Sequence, residues 1–410
     1  MSSKSVIMIG GGVQEVEAVR IAQSMGLRVI VTDRNPDAPC FDLADFKVVV
    51  DGRDIEGLVS FALLNKERLD IAGVFTLTEL VTSVAAVAQA VGLPGVPLRS
   101  AVVCQNKLLC KAAWRKGGIP TPEGDVVDSY EDAQRLFDRL GGRAFIKPLV
   151  GFGGRGAARV LSEDDLKDAF SGPGHEEMLM EELVSGSMHD VNGVFDSRGI
   201  FHPLGCFDRY FHPEHPVEIG AVYPSRLSET EVAGLYDLTE RAARTLGITV
   251  GPVKADLVRG SDGFKVLEMA PRLHGPKGTL LLTAFAGGVN HLETVLKVIT
   301  GGDLGSDDLD MPERVSMYRA LLPEPGYLRS VSGIDDALGI NGVERVLVLT
   351  SVGGLIPEYT DSTAVPCYVF TSGSDLEDAD SHIKEAMRLI DFETIKEKEG
   401  CLWNSTHICR

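Results

Sequence analysis

The chain has 410 residues, 44% apolar and 24% charged, enough for about three domains with buried cores, and this rules out global disorder. Its 59 acidic and 40 basic residues leave a formal charge of −19, a surface that repels phosphate backbones and anionic lipid, so no nucleic-acid and no membrane partner is expected. No apolar run reaches the roughly 18 residues of a membrane span, the start does not read as a secretory leader, and Cys40, Cys104, Cys110, Cys206, Cys367, Cys401 and Cys409 form no CxxC pair; a reduced, cytoplasmic protein is expected.

Residues 5–9, 28–32 and 47–50 are short β-branched runs separated by helix-like stretches, and the alternation continues through 55–64, 71–76 and 80–91. Strands alternating with helices predict a parallel sheet covered on both faces. The Gly- and Pro-dense segment 92–100 marks a first boundary. Beyond it, 101–117 reads as a helix, 117–124 as a connector and 130–140 as another helix. Strand 144–148, a glycine-rich loop and strand 157–161 follow, then a helix near 163–170 and a strand at 178–183. Residues 190–207 read as further strands, and 229–247 as a long helix stopped at Gly247. Segment 299–308 is the second boundary; short β runs and a helix near 375–390 complete the chain. No internal repeat is found.

Gly10, Gly11 and Gly12 lie between a strand and a helix, but the third position of a dinucleotide fingerprint is Glu15. Asp33 ends the next strand, where an NAD ribose ligand would sit. A carboxylate near the pyrophosphate path is repulsive, so a tight turn without cofactor is favoured. The second cluster, Lys147 followed by Gly151, Gly153, Gly154, Arg155 and Gly156, runs from strand to strand and lacks the Gly-Lys-Ser/Thr ending of a Walker loop. Such a flap can close its N–H groups over phosphates, with Lys147 as a point charge; an exposed hairpin loop is the equal alternative.

Asp256 and Glu268 form the decisive pair. Residues 261–263 read as a three-residue hairpin loop, with Gly260 facing Phe264 and therefore Asp256 facing Glu268. Cβ atoms at such positions are about 4.5–5.5 Å apart, and two carboxylates there need a cation or a shared proton. Mg²⁺ is held by one or two carboxylates plus substrate phosphates, which suits the pair. Val266 and Phe264 are expected to share the Glu268 face and bury it. Arg272, four residues on, would neutralise a transferring phosphoryl group or grip a carboxylate. His274 and Lys277 would line the same loop, a surface role being equally open. Arg209 and residues 212–216 stand where a substrate loop would form.

Together these motifs resemble the ATP-grasp superfamily, in the branch of biotin carboxylase, the purine-pathway carboxylases and the L-amino-acid ligases. The resemblance implies an N-terminal Rossmann-like α/β domain (1–97), a central ATP-grasp domain (98–302, with a lid at about 122–186) and a C-terminal β-rich lobe (303–410). It implies that Lys107 and Lys147 are the nucleotide lysines and that Gly153, Gly154, Arg155 and Gly156 cover the phosphates. Glu181 would take the adenine amino group, while Glu182, Leu183 and Val184 would frame the ring. Asp190 would hold the ribose, with Met188 at another alignment. Asp256 and Glu268 would be the magnesium ligands, with Mn²⁺ as the secondary choice, and Arg272 would stabilise the phosphorylated intermediate. Ala270 departs from the usual Asn two residues after the second metal carboxylate. The implied activity is an ATP-dependent, ADP-forming carboxylate–amine ligase acting on a small carboxylate such as an amino acid, as a homodimer. A bicarbonate-phosphorylating carboxylase and a non-catalytic ATP-binding protein are the alternatives.

Overall fold

The computed structural model describes residues 4–151, 153–170, 177–215, 217–309 and 312–396. Strands Ser5–Ile9, Arg28–Asp33, Phe46–Val49 and Ile71–Phe75 form the expected parallel sheet, in spatial order third, second, first, fourth. Alternate residues serve two cores. Val6, Met8, Val29 and Val31 enter one, while Ile7, Ile9 and Ile30 enter the other, as a sheet covered on both faces requires.

The stretch expected as one helix over 101–117 is two, Leu98–Gln105 and Lys107–Lys116. Asn106 between them is extended (φ −114°, ψ 112°), and its side chain accepts from the Leu109 N–H. Asparagine caps helices better than it continues them, so the run breaks there and Lys107 becomes a first-turn residue. Trp114 locks this helix in place. It is fully buried, and its Nε1 donates to the Ala242 carbonyl at 3.2 Å in helix Glu229–Thr245. Truncating such a side chain costs about 3–5 kcal/mol.

Strands Gly124–Val127, Met178–Glu182, Ala144–Pro148 and Ala158–Val160, in that spatial order, make a small antiparallel sheet backed by helices Tyr130–Arg139 and Glu163–Ala169. A larger antiparallel sheet of eight strands runs Gly263–Ala270, Gly251–Gly260, Ser187–Phe195, Phe201–Phe211, Glu218–Tyr223, Val315–Leu321, Cys367–Gly373 and Val343–Val348. It crosses the expected boundary at 299–308, because Val315–Leu321 pairs with Glu218–Tyr223. One apolar core likewise gathers Val6 and Met8, Val194 and Phe207, Leu292, Tyr318 and Phe370. Helix Leu376–Leu389 and the small sheet of Leu355–Ile356, Gly326–Ser332 and Asp391–Ile395 complete the fold. Among the described residues no helix is long and apolar enough to cross a membrane.

Candidate active site

Asp256 and Glu268 do face each other, but by a different route from the one the turn suggests. Gly260 pairs with Gly263, not Phe264, so the loop is the two residues Ser261 and Asp262 and the ribbon starts one residue out of the expected register. Pairs Arg259–Phe264, Val258–Lys265 and Leu257–Val266 follow. A β-bulge at Leu267 then absorbs one residue, and Asp256 meets Glu268. The bulge also separates faces: Val266 opposes Leu257, and both are fully buried in an apolar core with Met269. Val266 thus does not share the Glu268 face. Glu268 remains open, its side chain 39% exposed.

Asp190, on the neighbouring strand, is the residue opposite Asp256 on the other side. Asp256 Oδ1 lies 2.7 Å from Lys254 Nζ and accepts from Arg209 at 2.9 Å. Burial, with Asp190 beside it, pushes the Asp256 carboxyl up to about 7 against the pull of Lys254 and Arg209. For Glu268 burial also opposes charge, but Lys107, Lys147, Lys254 and Arg272 outweigh it and hold the carboxyl below its ordinary value. Asp190 is fully enclosed, with Arg209 at 2.8 Å, Lys254 at 3.4 Å and His274 Nδ1 at 2.5 Å. Arg209, Lys254 and the His274 imidazole hold its oxygens within the sheet face, so in this structure Asp190 is a buried counter-ion to the two cations.

Lys107 Nζ donates to the Gly151 carbonyl at 3.0 Å and stands 3.7 Å from Glu268. Lys147 Nζ is 2.5 Å from one oxygen of Glu181, and Lys111 Nζ is 2.5 Å from the other. Glu181 is nearly fully buried; burial opposes its charge, and the two lysines nevertheless hold its carboxyl below the ordinary range. Both of its oxygens serve lysines in this structure, where the resemblance implies that Glu181 takes an adenine amino group. Glu182 binds Lys265 at 2.7 Å, its N–H donates to Glu123, and the Leu183 N–H donates to Arg143. Val184 packs beside Gly260. In the glycine loop, Gly153 accepts from the Ser362 N–H at 3.1 Å and Arg155 lies 3.8 Å from Asp361; Phe152 is outside the described residues, and Gly154 and Gly156 both take positive φ.

On the opposite flank Arg272 pairs with Glu79 and donates to the Leu273 carbonyl at 2.8 Å. The His274 N–H donates to Asn192 Oδ1 at 2.8 Å, and burial lowers the imidazole despite Asp190. Lys277 lies over the Tyr368 and Tyr318 rings, and burial brings it down to about 8. Arg209 is not on a surface loop: it bridges Asp190, Asp256 and Glu218. Of 212–216, His212 stacks on His215 at 5.2 Å, and Pro216 lies outside the described residues. At the N-terminal glycines, Gly11 donates to Asp33 Oδ2 at 2.8 Å and Asn35 to Oδ1, so Asp33 closes the turn itself.

The sequence reading missed Lys111, Lys254, Glu218 and Glu79. Lys111 follows Lys107 by four on a helix and Lys254 precedes Asp256 by two on a strand, so periodicity alone puts each on its neighbour's face. Glu79 and Glu218 carry no such local signal. Among the described residues, no three His, Cys, Asp or Glu side chains gather as a metal cage. Two facing carboxylates with lysines beside them do suit Mg²⁺ or Mn²⁺ whose other positions are filled by phosphate and water.

Comparison with known proteins gives two family matches: the ATP-grasp domain over residues 104–276, and the L-amino acid ligase C-terminal domain 2 over 319–394. The chain carries an ATP-grasp domain and an L-amino acid ligase C-terminal domain. This ATP-grasp protein is 28% identical over 357 residues to the uncharacterized protein y4rH of Sinorhizobium fredii, covering 84% of this chain and 72% of that one. Over 166 residues (40% of this chain, 42% of the relative) it is 27% identical to the formate-dependent phosphoribosylglycinamide formyltransferase of Methanocaldococcus jannaschii. Its fold is that of the L-amino acid ligase of Bacillus licheniformis, with a TM-score of 0.80 at 19% identity over 97% of this chain and all of the other. The ADP complex of purK, N5-carboxyaminoimidazole ribonucleotide synthetase, gives 0.75 at 17% identity over 94% and 97%.

Proposed function

We propose that this protein joins a small carboxylate to an amine by way of an acyl phosphate, releasing ADP and phosphate. The observation that carries the reading is the facing of Asp256 and Glu268, with Lys107 and Lys147 on one flank and Arg272 on the other. Bound there, Mg²⁺ would supply charge neutralisation on the phosphoryl oxygens. Lys107 and Lys147 spread the charge of the transferring group, and Glu181 fixes Lys147 in place. Gly153, Gly154, Arg155 and Gly156 cover the phosphates, while Glu182, Leu183 and Val184 border the base. Arg272 stabilises the acyl phosphate, and His274 and Lys277 stand on the substrate side. We take the working form to be a cytoplasmic homodimer, which light scattering of the purified protein tests for its oligomeric part.

The experiment is an ADP-release screen over pairs of amino acids, with bicarbonate alone as a parallel arm and mass spectrometry of the product. A ligated product supports the reading; ADP release driven by bicarbonate without an amine refutes it. Asp256→Asn and Glu268→Gln are expected to abolish ATP turnover with the far-ultraviolet circular dichroism unchanged. Wild-type turnover in either would remove the metal assignment. Arg272→Ala is expected to lower kcat while leaving ATP affinity within about threefold, because its charge acts on the transition state rather than the bound nucleotide.

A further inference from the structure

Two facing carboxylates can hold one divalent ion or bridge a close pair of them, and the carboxylate oxygens left open limit the number. Asp256 has Asp190 opposite it on one neighbouring strand and Glu268 on the other. Arg209 takes Asp190 Oδ1 at 2.8 Å, and His274 Nδ1 takes Oδ2 at 2.5 Å with Lys254 Nζ 3.4 Å away. Asp190 is fully enclosed, so neither of its oxygens is open. Asp256 Oδ1 is taken twice, by Lys254 at 2.7 Å and by Arg209 at 2.9 Å. Asp256 Oδ2 and both oxygens of Glu268 accept no hydrogen bond from a lysine, an arginine or the backbone of the described residues; Lys107 stands 3.7 Å from Glu268. The open oxygens thus lie on two residues only, and on the Glu268 side of the site.

The cation that closes the other side comes from the ribbon itself. Lys254 and Ala270 are cross-strand partners, two residues before Asp256 and two after Glu268. A step of two keeps both on the face of the carboxylates, one pair further along the ribbon. Ala270 offers no oxygen to an ion on that side. Lys254, its side chain 10% exposed, directs its ammonium to Asp256 and Asp190 instead. An ammonium is a compact point charge with three donors, so it can neutralise two carboxylates and keep a donor for a phosphate. A second divalent ion there would meet a positive charge already seated 2.7 Å from the oxygen it needs, and like charges so close repel strongly.

We propose that Lys254 stands in for a second divalent ion, so that the site works with a single one, held by Asp256 Oδ2 and Glu268. The inference rests on the ligase reading above and adds to it the metal count and the part played by Lys254. The test is to count Mn²⁺ bound to the purified protein with the non-hydrolysable ATP analogue AMP-PNP, by equilibrium dialysis and electron paramagnetic resonance. One Mn²⁺ per chain at saturation is expected, with no spin coupling to another. Lys254→Met combined with Ala270→Asn removes the ammonium and supplies an oxygen, and is expected to bind a coupled pair with the circular dichroism unchanged. Lys254→Met alone is expected to weaken AMP-PNP about tenfold and adenosine less than about twofold, because only the first brings phosphate charge to the ribbon. A coupled pair in the wild-type protein, a folded double variant that still binds one, or equal losses of AMP-PNP and adenosine overturns the inference. Absence of any Mn²⁺ with AMP-PNP bound overturns it together with the metal assignment. Failure of the ligase reading shows separately, as absent ADP release in the amino-acid screen.

Discussion

Lys111, one turn of helix after Lys107, and Glu181, on strand Met178–Glu182, are 1% and 3% exposed, and the ammonium is brought down to about 8 by burial despite the carboxylate. Removing one member of such a pair leaves a buried charge, at a cost of about 3–5 kcal/mol. Lys111→Met is therefore expected to destabilise by about 3 kcal/mol and to raise the KM for ATP, since Glu181 then draws Lys147 alone. Urea denaturation of Lys111→Met, Glu181→Gln and the double variant checks this: the double should recover part of the loss, and simple additivity would count against the pair. A second expectation concerns acid. Burial opposes the charge on Asp208 and Glu218, but His189, Ser225 and Arg226 around the first, and Arg209 and Lys277 around the second, bring both carboxyls down to about 2. Both are thus lower folded than their ordinary values of 3.8 and 4.5, so the unfolded chain binds more protons in acid. Their stabilisation is full above about 4.5 and is lost as pH falls toward 2. Melting temperature should drop over that window, and less steeply in Asp208→Asn.

At the scale of elements, the site depends on where strands meet and how closely. A Cβ at Gly186 would come within 1.7 Å of the Arg259 carbonyl, so the connection after Met178–Glu182 lies directly on the Asp256–Glu268 hairpin only because residue 186 has no side chain. Gly186→Ala is expected to push the two apart, destabilising by about 2 kcal/mol or more. It should also weaken ATP binding, read by nucleotide titration. Gly263→Ala is the contrasting case: φ is +115° but nothing lies within 4 Å, so the cost should stay near 1 kcal/mol, confined to the turn. Equal effects of the two on ATP affinity would argue against the hairpin as the floor of a nucleotide site. The bulge at Leu267 acts at this same scale. Were Leu267 paired with Asp256 instead of bulged out, Glu268 would oppose Ala255 and point into the apolar core.

Across the whole molecule, a single sheet joins the central and C-terminal regions, and one core extends from the N-terminal sheet to Phe370. Arg272 of the central region reaches Glu79 of the N-terminal region. Segments that share a core unfold together, so calorimetry should show one main transition involving all three regions. A separately melting C-terminal region would contradict the shared sheet. The shared construction also explains why Lys277 of the central region lies over the rings of Tyr318 and Tyr368 from beyond residue 310.

The sequence alone determined whatever has a short period or a short turn. The βα alternation of 1–91, the strand–loop–strand at 144–161, the two helices near 229–247 and 375–390, and the meeting of two carboxylates across one hairpin were legible because neighbours along the chain are there neighbours in space. Tertiary structure decided the rest. It placed Asp190 as a buried counter-ion, engaged both oxygens of Glu181 with lysines, brought Glu79 to Arg272, and ran one sheet through the expected boundary. Each of these turns on desolvation and on partners more than 30 residues away in sequence or on another sheet strand. A charged side chain, once buried, takes the nearest opposite charge the fold supplies, and that choice is made in three dimensions.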